Sequence, residues 1–283
     1  MAVKIVVDST SYIPEDIKKQ YDISTISLNF IFGDESVREI DIDNSTFYKE
    51  MDEKGEIPTS SQPSIDEMYT AFENIVKEGN DVVAVVISSD MSGTYSSAHL
   101  VKNMILEKYE NAKIEIIDSR TNCMQMGFVA IEAAKKAEEG AAIEEVVERA
   151  EFVKNHSEFL FLPDTLTYLK KGGRIGGAAA LFGSILQIKP ILTVVDGKTT
   201  VFDKVRTKKK AVDRLLNHIM EVSKTKKIKE VVVHHINIEE EGQHLADRIE
   251  EALGIKARVC SIGPVIGLHV GPGSIGIAYY TEN

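Results

Sequence analysis

Cysteine is nearly absent: Cys123 and Cys260 stand far apart, in no C-x-x-C or Cys/His spacing. That excludes a disulfide framework and argues against a zinc site. Positive charge is in deficit, with 33 Lys and Arg against 44 Asp and Glu and a formal net charge of −11. Phosphates would be repelled, so nucleic acid is not an expected partner, and contact with an anionic membrane is at most transient. No uninterrupted apolar run approaches about 18 residues, and the opening MAVKIVVDST reads as a strand rather than a secretion signal. A cytoplasmic protein is expected. The H-E-x-x-H, Walker A and G-x-S-x-G patterns are all missing. GPGSIG, Gly271 to Gly276, does match G-x-G-x-x-G, but a strand and the chain end follow it, so dinucleotide binding is rejected.

With 283 residues, 43% of them apolar, the chain has material for one large or two modest domains and for an internal ligand chamber. Runs rich in β-branched residues, Val3 to Val7, Val82 to Ile87, Ile114 to Ile117, Val231 to Val233 and Ile275 to Tyr280, alternate with helical patterns, which reads as α/β. A helix is expected from Ile65, with a capping box of Ser64 and Glu67 and Gly79 past its end. Further helical patterns cover Met124 to Glu138 and Ile143 to Lys154, after which NHSEFLFLP starts a new strand. The domain boundary is placed near His156, giving units 1–156 and 157–283. Asp196-Gly197 predicts a type I′ hairpin.

Four segments are candidates for chemistry. PTSSQPS, Pro58 to Ser64, is a hydroxyl-dense loop before a helix; capping explains Ser64 but not Ser60 and Ser61. MSGTY puts Ser92 and Gly93 at a helix N-terminus after a strand, where a cap and an anion site share the same electrostatics. LKKGGRIGG holds Arg174 between two glycine pairs, beside Lys170, Lys171 and Lys189, and reads either as a turn between helices or as a basic island for an anion or acidic partner. His269 is the only polar side chain in Pro264 to Val270, either a core histidine or a hydrogen-bonding site residue. His234 and His235 are strand neighbours that face opposite sides and cannot share one metal there. His99, His156, His218 and His244 are expected to be solvent-exposed.

VDSTSYIP, TSSQPS, SSDMSGTYSSA, IIDSRT, LKKGGRIGG and GPVIGLHVGPGSIGI together resemble the DegV family, in order and spacing along essentially the whole chain. The resemblance implies an N-terminal three-layer α/β domain with a mainly parallel sheet, a C-terminal α/β domain with a mixed sheet, and a fatty acid at their junction. It further implies the binding subunit of a bacterial fatty acid kinase, which holds a long-chain fatty acid while a separate ATP-dependent subunit phosphorylates its carboxylate for phospholipid synthesis. No cofactor, metal or catalytic residue of its own is implied. Ser60 and Ser92, with Ser61 and Gly93 beside them, would hold the carboxylate, His269 would stand behind it, and Arg174 would face the kinase. Ser60 stands where the family usually has Thr, keeping the hydroxyl and losing a methyl. Ala178 to Ile188 is a candidate wall of the acyl tunnel. The alternatives are a serine-dependent lipid hydrolase using Ser92 and His269, and a regulatory lipid sensor.

Overall fold

The computed structural model describes residues 2–183 and 188–283. Strand β1 (Val3–Asp8) passes through helix α1 (Glu15–Gln20) to β2 (Ser24–Ile26), which pairs with it in parallel. Next come β3 (Asn29–Phe32), β4 (Glu35–Arg38), α2 (Asn44–Lys54) and β5 (Thr59–Ser61), the three strands forming a small antiparallel sheet with β3 in the middle. Helix α3 (Ile65–Lys77) leads to β6 (Asp81–Val86) and α4 (Thr94–Lys108) to β7 (Ile114–Asp118). The resulting four-stranded parallel sheet has the order β2-β1-β6-β7. Helices α5 (Cys123–Glu138) and α6 (Ile143–Asn155) complete this half.

The second half begins with β8 (Ser157–Leu162), α7 (Thr167–Lys171) and a 3-10 segment, Gly176–Leu181. It continues through β9 (Lys189–Val195), β10 (Lys198–Val205), α8 (Lys208–Ser223), β11 (Ile228–His235), α9 (Glu239–Leu253), β12 (Arg258–Ser261), α10 (Pro264–Val270) and β13 (Ile275–Thr281). Its six-stranded sheet has the order β10-β9-β8-β13-β11-β12 and is mixed, with only β11 and β12 parallel.

Side-chain alternation explains the layering. Val6, Val82 and Ala84 pack with Met68, Phe72, Ala98 and Val101 from α3 and α4. Their strand neighbours Ile5, Val7, Val83 and Val85 join Phe128, Val129 and Val146 from α5 and α6. A sheet covered on both faces needs apolar residues at every position, which is why these strands read as unbroken apolar runs. In β8 the sequence Phe-Leu-Phe-Leu splits by face. Leu160 and Leu162 pack with Leu215, Ile219, Leu245 and Ile249 from α8 and α9, while Phe159 and Phe161 turn towards the first half.

Several expectations need correction. Ser64 does cap α3, its hydroxyl accepting from the Glu67 N–H at 3.1 Å, but the Glu67 carboxylate does not close a capping box. It accepts instead from Ser27 N–H and Arg38, at 2.9 and 2.8 Å, because tertiary donors outcompete the helix end. The segment before α3 is strand β5 rather than loop, drawn into the sheet by pairing with β3. His218 is not exposed: it shares Glu158 with Tyr279. The I′ turn is present, with φ of 48° at Asp196 and 79° at Gly197. Of the proposed tunnel wall Ala178 to Ile188, residues 184–187 lie outside those described, and Ala178 to Leu181 form part of the 3-10 segment.

Candidate functional site

In the order β2-β1-β6-β7 the connections leave β1 and β6 in opposite directions, and a crevice opens beyond the carboxyl ends of those two strands. Asp8 ends β1 there. Its buried carboxylate accepts from Thr10 N–H at 3.0 Å, Thr10 Oγ1 at 2.5 Å and, across the crevice, Ile87 N–H at 2.6 Å. Burial pushes its pKa up to about 6 against the pull of those hydrogen bonds.

Over this crevice the second half closes a cavity of about 130 Å³. Its apolar wall includes Phe159 and Phe161 of β8, Leu169 of α7 and Ile266 of α10, with Ile87 and Met91 from the loop after β6. Ser60, Ser61, Ser92, Gly93, Arg174 and His269 also line it, so residues more than 200 positions apart in sequence share one wall.

Strand pairing places Ser60 opposite Phe30 and Ser61 opposite Asn29. The Ser60 hydroxyl lies 2.9 Å from His269 Nε2. Burial, with a smaller contribution from the Arg174 guanidinium, pushes the His269 pKa down to about 4, so the ring is neutral at pH 7. His269 Nδ1 is buried without a hydrogen-bond partner among the described residues. A proton on Nδ1 would bury an unsatisfied N–H, so the favoured tautomer carries it on Nε2 and donates to Ser60 Oγ. The Ser60 hydroxyl hydrogen is then free to donate into the cavity. Gly172 packs against Nδ1 so closely that any Cβ there would collide with the ring.

Ser92 does not cap α4; Gly93 holds that position, without a side-chain cap. The Ser92 hydroxyl accepts from Thr94 N–H at 3.3 Å and lies 2.9 Å from Thr94 Oγ1. The space a Gly93 side chain would need is taken by Gln62, whose amide donates to Ser97 Oγ at 2.7 Å and ties β5 to α4. Arg174 donates from Nε and Nη2 to the Met91 carbonyl, at 3.1 and 3.0 Å, and from Nη1 to the Gly172 carbonyl at 2.6 Å. Its guanidinium thus fastens the end of α7 to the loop before α4 while remaining exposed. The basic island disperses: Lys189 pairs with Asp164, and Lys170 lies over the Phe182 ring.

Glu39 was not anticipated. It is 5% exposed, accepting from Ser9 Oγ at 2.5 Å, Tyr12 hydroxyl at 2.7 Å and Val265 N–H at 2.8 Å. Tyr12 in turn accepts from Ile266 N–H at 3.1 Å. Two free N–H groups of α10, the helix that carries His269, are therefore capped from the other half of the chain. Burial pushes the Glu39 pKa up to about 7. Its position in the acidic run EIDID gave no signal of this role. Asn122, also on the cavity wall, was missed too.

The Ser92 hydroxyl is paired with Thr94, and His269 is paired with Ser60 and has no carboxylate on Nδ1. Among the described residues these contacts do not link Ser92, His269 and an orienting carboxylate. Among the described residues no His/Cys/Asp/Glu group could hold a metal ion, and no helix is long and apolar enough to cross a membrane.

Comparison with known proteins agrees with this architecture. A DegV domain-containing protein of Clostridium acetobutylicum is 54% identical over 282 residues, covering 100% of this chain and 99% of that one. The crystal structure of DegV, a fatty acid binding protein from Bacillus subtilis, superposes with a TM-score of 0.89 at 33% identity, covering 100% of both chains. A stearic acid-binding protein from Eubacterium ventriosum superposes at 0.91 with 27% identity, covering 99% of this chain and 98% of that one. The family model described as uncharacterised protein, DegV family, matches residues 2–282, and the chain belongs to the DegV family.

Proposed function

We propose that the protein binds a long-chain fatty acid in the cavity between its halves and presents the carboxylate to a partner ATP-dependent kinase, making no covalent bond itself. The observation that carries this reading is an apolar cavity with the Ser60–His269 pair set into its wall. The fatty-acid binding of the Bacillus subtilis and Eubacterium ventriosum relatives supports the same ligand class. The units 1–156 and 157–283 are taken as the two domains, with the ligand at their junction.

The roles divide by chemistry. At roughly 0.8 kcal/mol per buried CH₂, a tail of about 16 carbons gains on the order of 10 kcal/mol before ordering costs. Each hydroxyl bond to the carboxylate nets roughly 1.5 to 3 kcal/mol. The tail therefore supplies affinity, and Ser60, Ser92 and the backbone at Ser61 and Gly93 supply orientation. Neutral His269 holds the Ser60 oxygen without neutralising the carboxylate, which keeps the carboxylate nucleophilic towards a phosphoryl group. Arg174, exposed beside the cavity, is available to the kinase or to the phosphate in transfer. The acyl phosphate formed would supply phospholipid synthesis.

Native mass spectrometry of protein purified from a bacterial host tests the ligand. A co-purifying fatty acid, converted to acyl phosphate by ATP and the kinase, is expected. Protein that neither carries nor takes up a fatty acid would overturn the reading.

A further inference from the structure

Ser92 is carried on the loop between β6 and α4, and the residues just before it are gripped by two arginines. Arg174 holds the Met91 carbonyl from the second half of the chain. Arg120, in the turn between β7 and α5, takes the other side: Nη1 donates to Ser89 Oγ at 3.0 Å, and Nη2 pairs with Asp90 at 2.7 Å. Nη1 also meets Asp118 at 3.3 Å, and Nη2 donates to the Asp196 carbonyl at the hairpin tip. Asp118 Oδ1 ties the same two segments together, accepting from the N–H groups of Ser89 and Arg120 at 3.2 and 2.9 Å. The Arg120 backbone is left-handed, with φ of 57°, a conformation uncommon for any residue but glycine. A planar guanidinium fork bonds several groups at fixed angles, which a lysine ammonium does not. Among the described residues the cavity wall includes Met91, Ser92 and Gly93 but not Arg120, Ser89 or Asp90.

We propose that Arg120 is a positioning residue: without touching the fatty acid, it fixes the loop that carries Ser92 and so sets the orientation of the carboxylate. Its contacts end two residues short of Ser92, and Arg174 holds the residue between them. Release of one grip leaves Ser92 hinged on the other, and a reacting oxygen misplaced by about 1 Å can lose on the order of 100-fold in rate. This inference rests on the fatty-acid reading of the cavity and adds to it a residue that acts through Ser92.

The test uses palmitate isotopically labelled at the carboxyl carbon, bound to the full chain as wild type, Ser92→Ala, Arg120→Ala and the double variant. Native mass spectrometry reads occupancy, and NMR reads the carboxyl resonance with no kinase present. Occupancy of Arg120→Ala should stay within about twofold of wild type, because the tail supplies the affinity. Its carboxyl resonance should move in the direction seen for Ser92→Ala, and the double variant should match Ser92→Ala alone, as two residues acting through one contact require. With kinase and ATP, turnover of loaded Arg120→Ala should fall about tenfold. Arg120→Lys keeps the charge without the fork and should shift the resonance the same way, so it carries the test if Arg120→Ala does not fold. A resonance that Ser92→Ala moves and both Arg120 variants leave in place overturns the proposal. So do additive shifts in the double variant, which would make Arg120 a carboxylate ligand in its own right. A resonance that Ser92→Ala leaves in place removes Ser92 from the head group and the proposal with it. A wild type that takes up no palmitate removes the fatty-acid reading itself.

Discussion

Replacing Ser60 by Ala separates holding the fatty acid from presenting it. On the proposed reading the substitution removes one hydroxyl donor to the carboxylate; it also strips His269 of its one side-chain hydrogen-bond partner among the described residues, where Nδ1 has none. The direct loss is roughly 1.5 to 3 kcal/mol, about ten- to hundredfold in affinity. Tail burial, on the order of 10 kcal/mol, is untouched. Ser60→Ala should therefore still carry lipid, and so should the double variant with Ser92→Ala, though less of it. Phosphoryl transfer should fall further, because misplacing a reacting oxygen by about 1 Å can cost on the order of 100-fold. Bound lipid by native mass spectrometry and acyl phosphate by hydroxylamine trapping, on the same preparations, give the two numbers. Equal losses in both, or none in either, would show that Ser60 does not orient the carboxylate.

Three further outcomes are expected. Glu39 keeps its proton in the folded protein up to about pH 7, well above the ordinary carboxyl range of the unfolded chain. Stability should therefore fall as pH rises across that window, by an amount on the order of 3 kcal/mol, and Glu39→Gln should flatten the upper part of the curve measured by denaturant unfolding, leaving the lower part to Asp8. Gly172→Ala keeps an ordinary backbone conformation, so its effect is steric: a collision with His269 that should cost about 1 to 3 kcal/mol and weaken fatty-acid binding, and an unchanged Tm and affinity would refute the contact. Arg174→Ala should lower the kinase-coupled rate more than lipid retention, and should raise the His269 pKa from about 4 while leaving it below the ordinary value, because burial is the larger cause; an NMR titration reads the second effect.

What could be read in the sequence follows the range over which each signal acts. The parallel strands announce themselves because Val82 to Val86 are buried on both faces and must all be apolar. Helix α3 does so because its apolar face repeats over 13 residues. The small sheet does not, since strands of three or four residues hold no measurable period and β5 becomes a strand only by pairing with β3. Helix α10 is also illegible, being seven residues long with a Pro and a Gly inside it and a Gly at either end, and with its first turn capped by Glu39 from 226 positions away. The same division runs through the site. Arg174 and His269 are visible because each is chemically out of keeping with its immediate neighbours, and Ser60 and Ser92 because hydroxyl groups cluster just before a helix. Glu39 and Asn122 are ordinary where they stand, one in an acidic run and one before a helix. Only the packing of distant elements makes them unusual, by burying a carboxylate under α10 and an amide side chain in a cavity wall. Local composition in a sequence thus finds the groups proposed to touch a carboxylate, while Glu39, which positions the helix carrying His269, requires the fold.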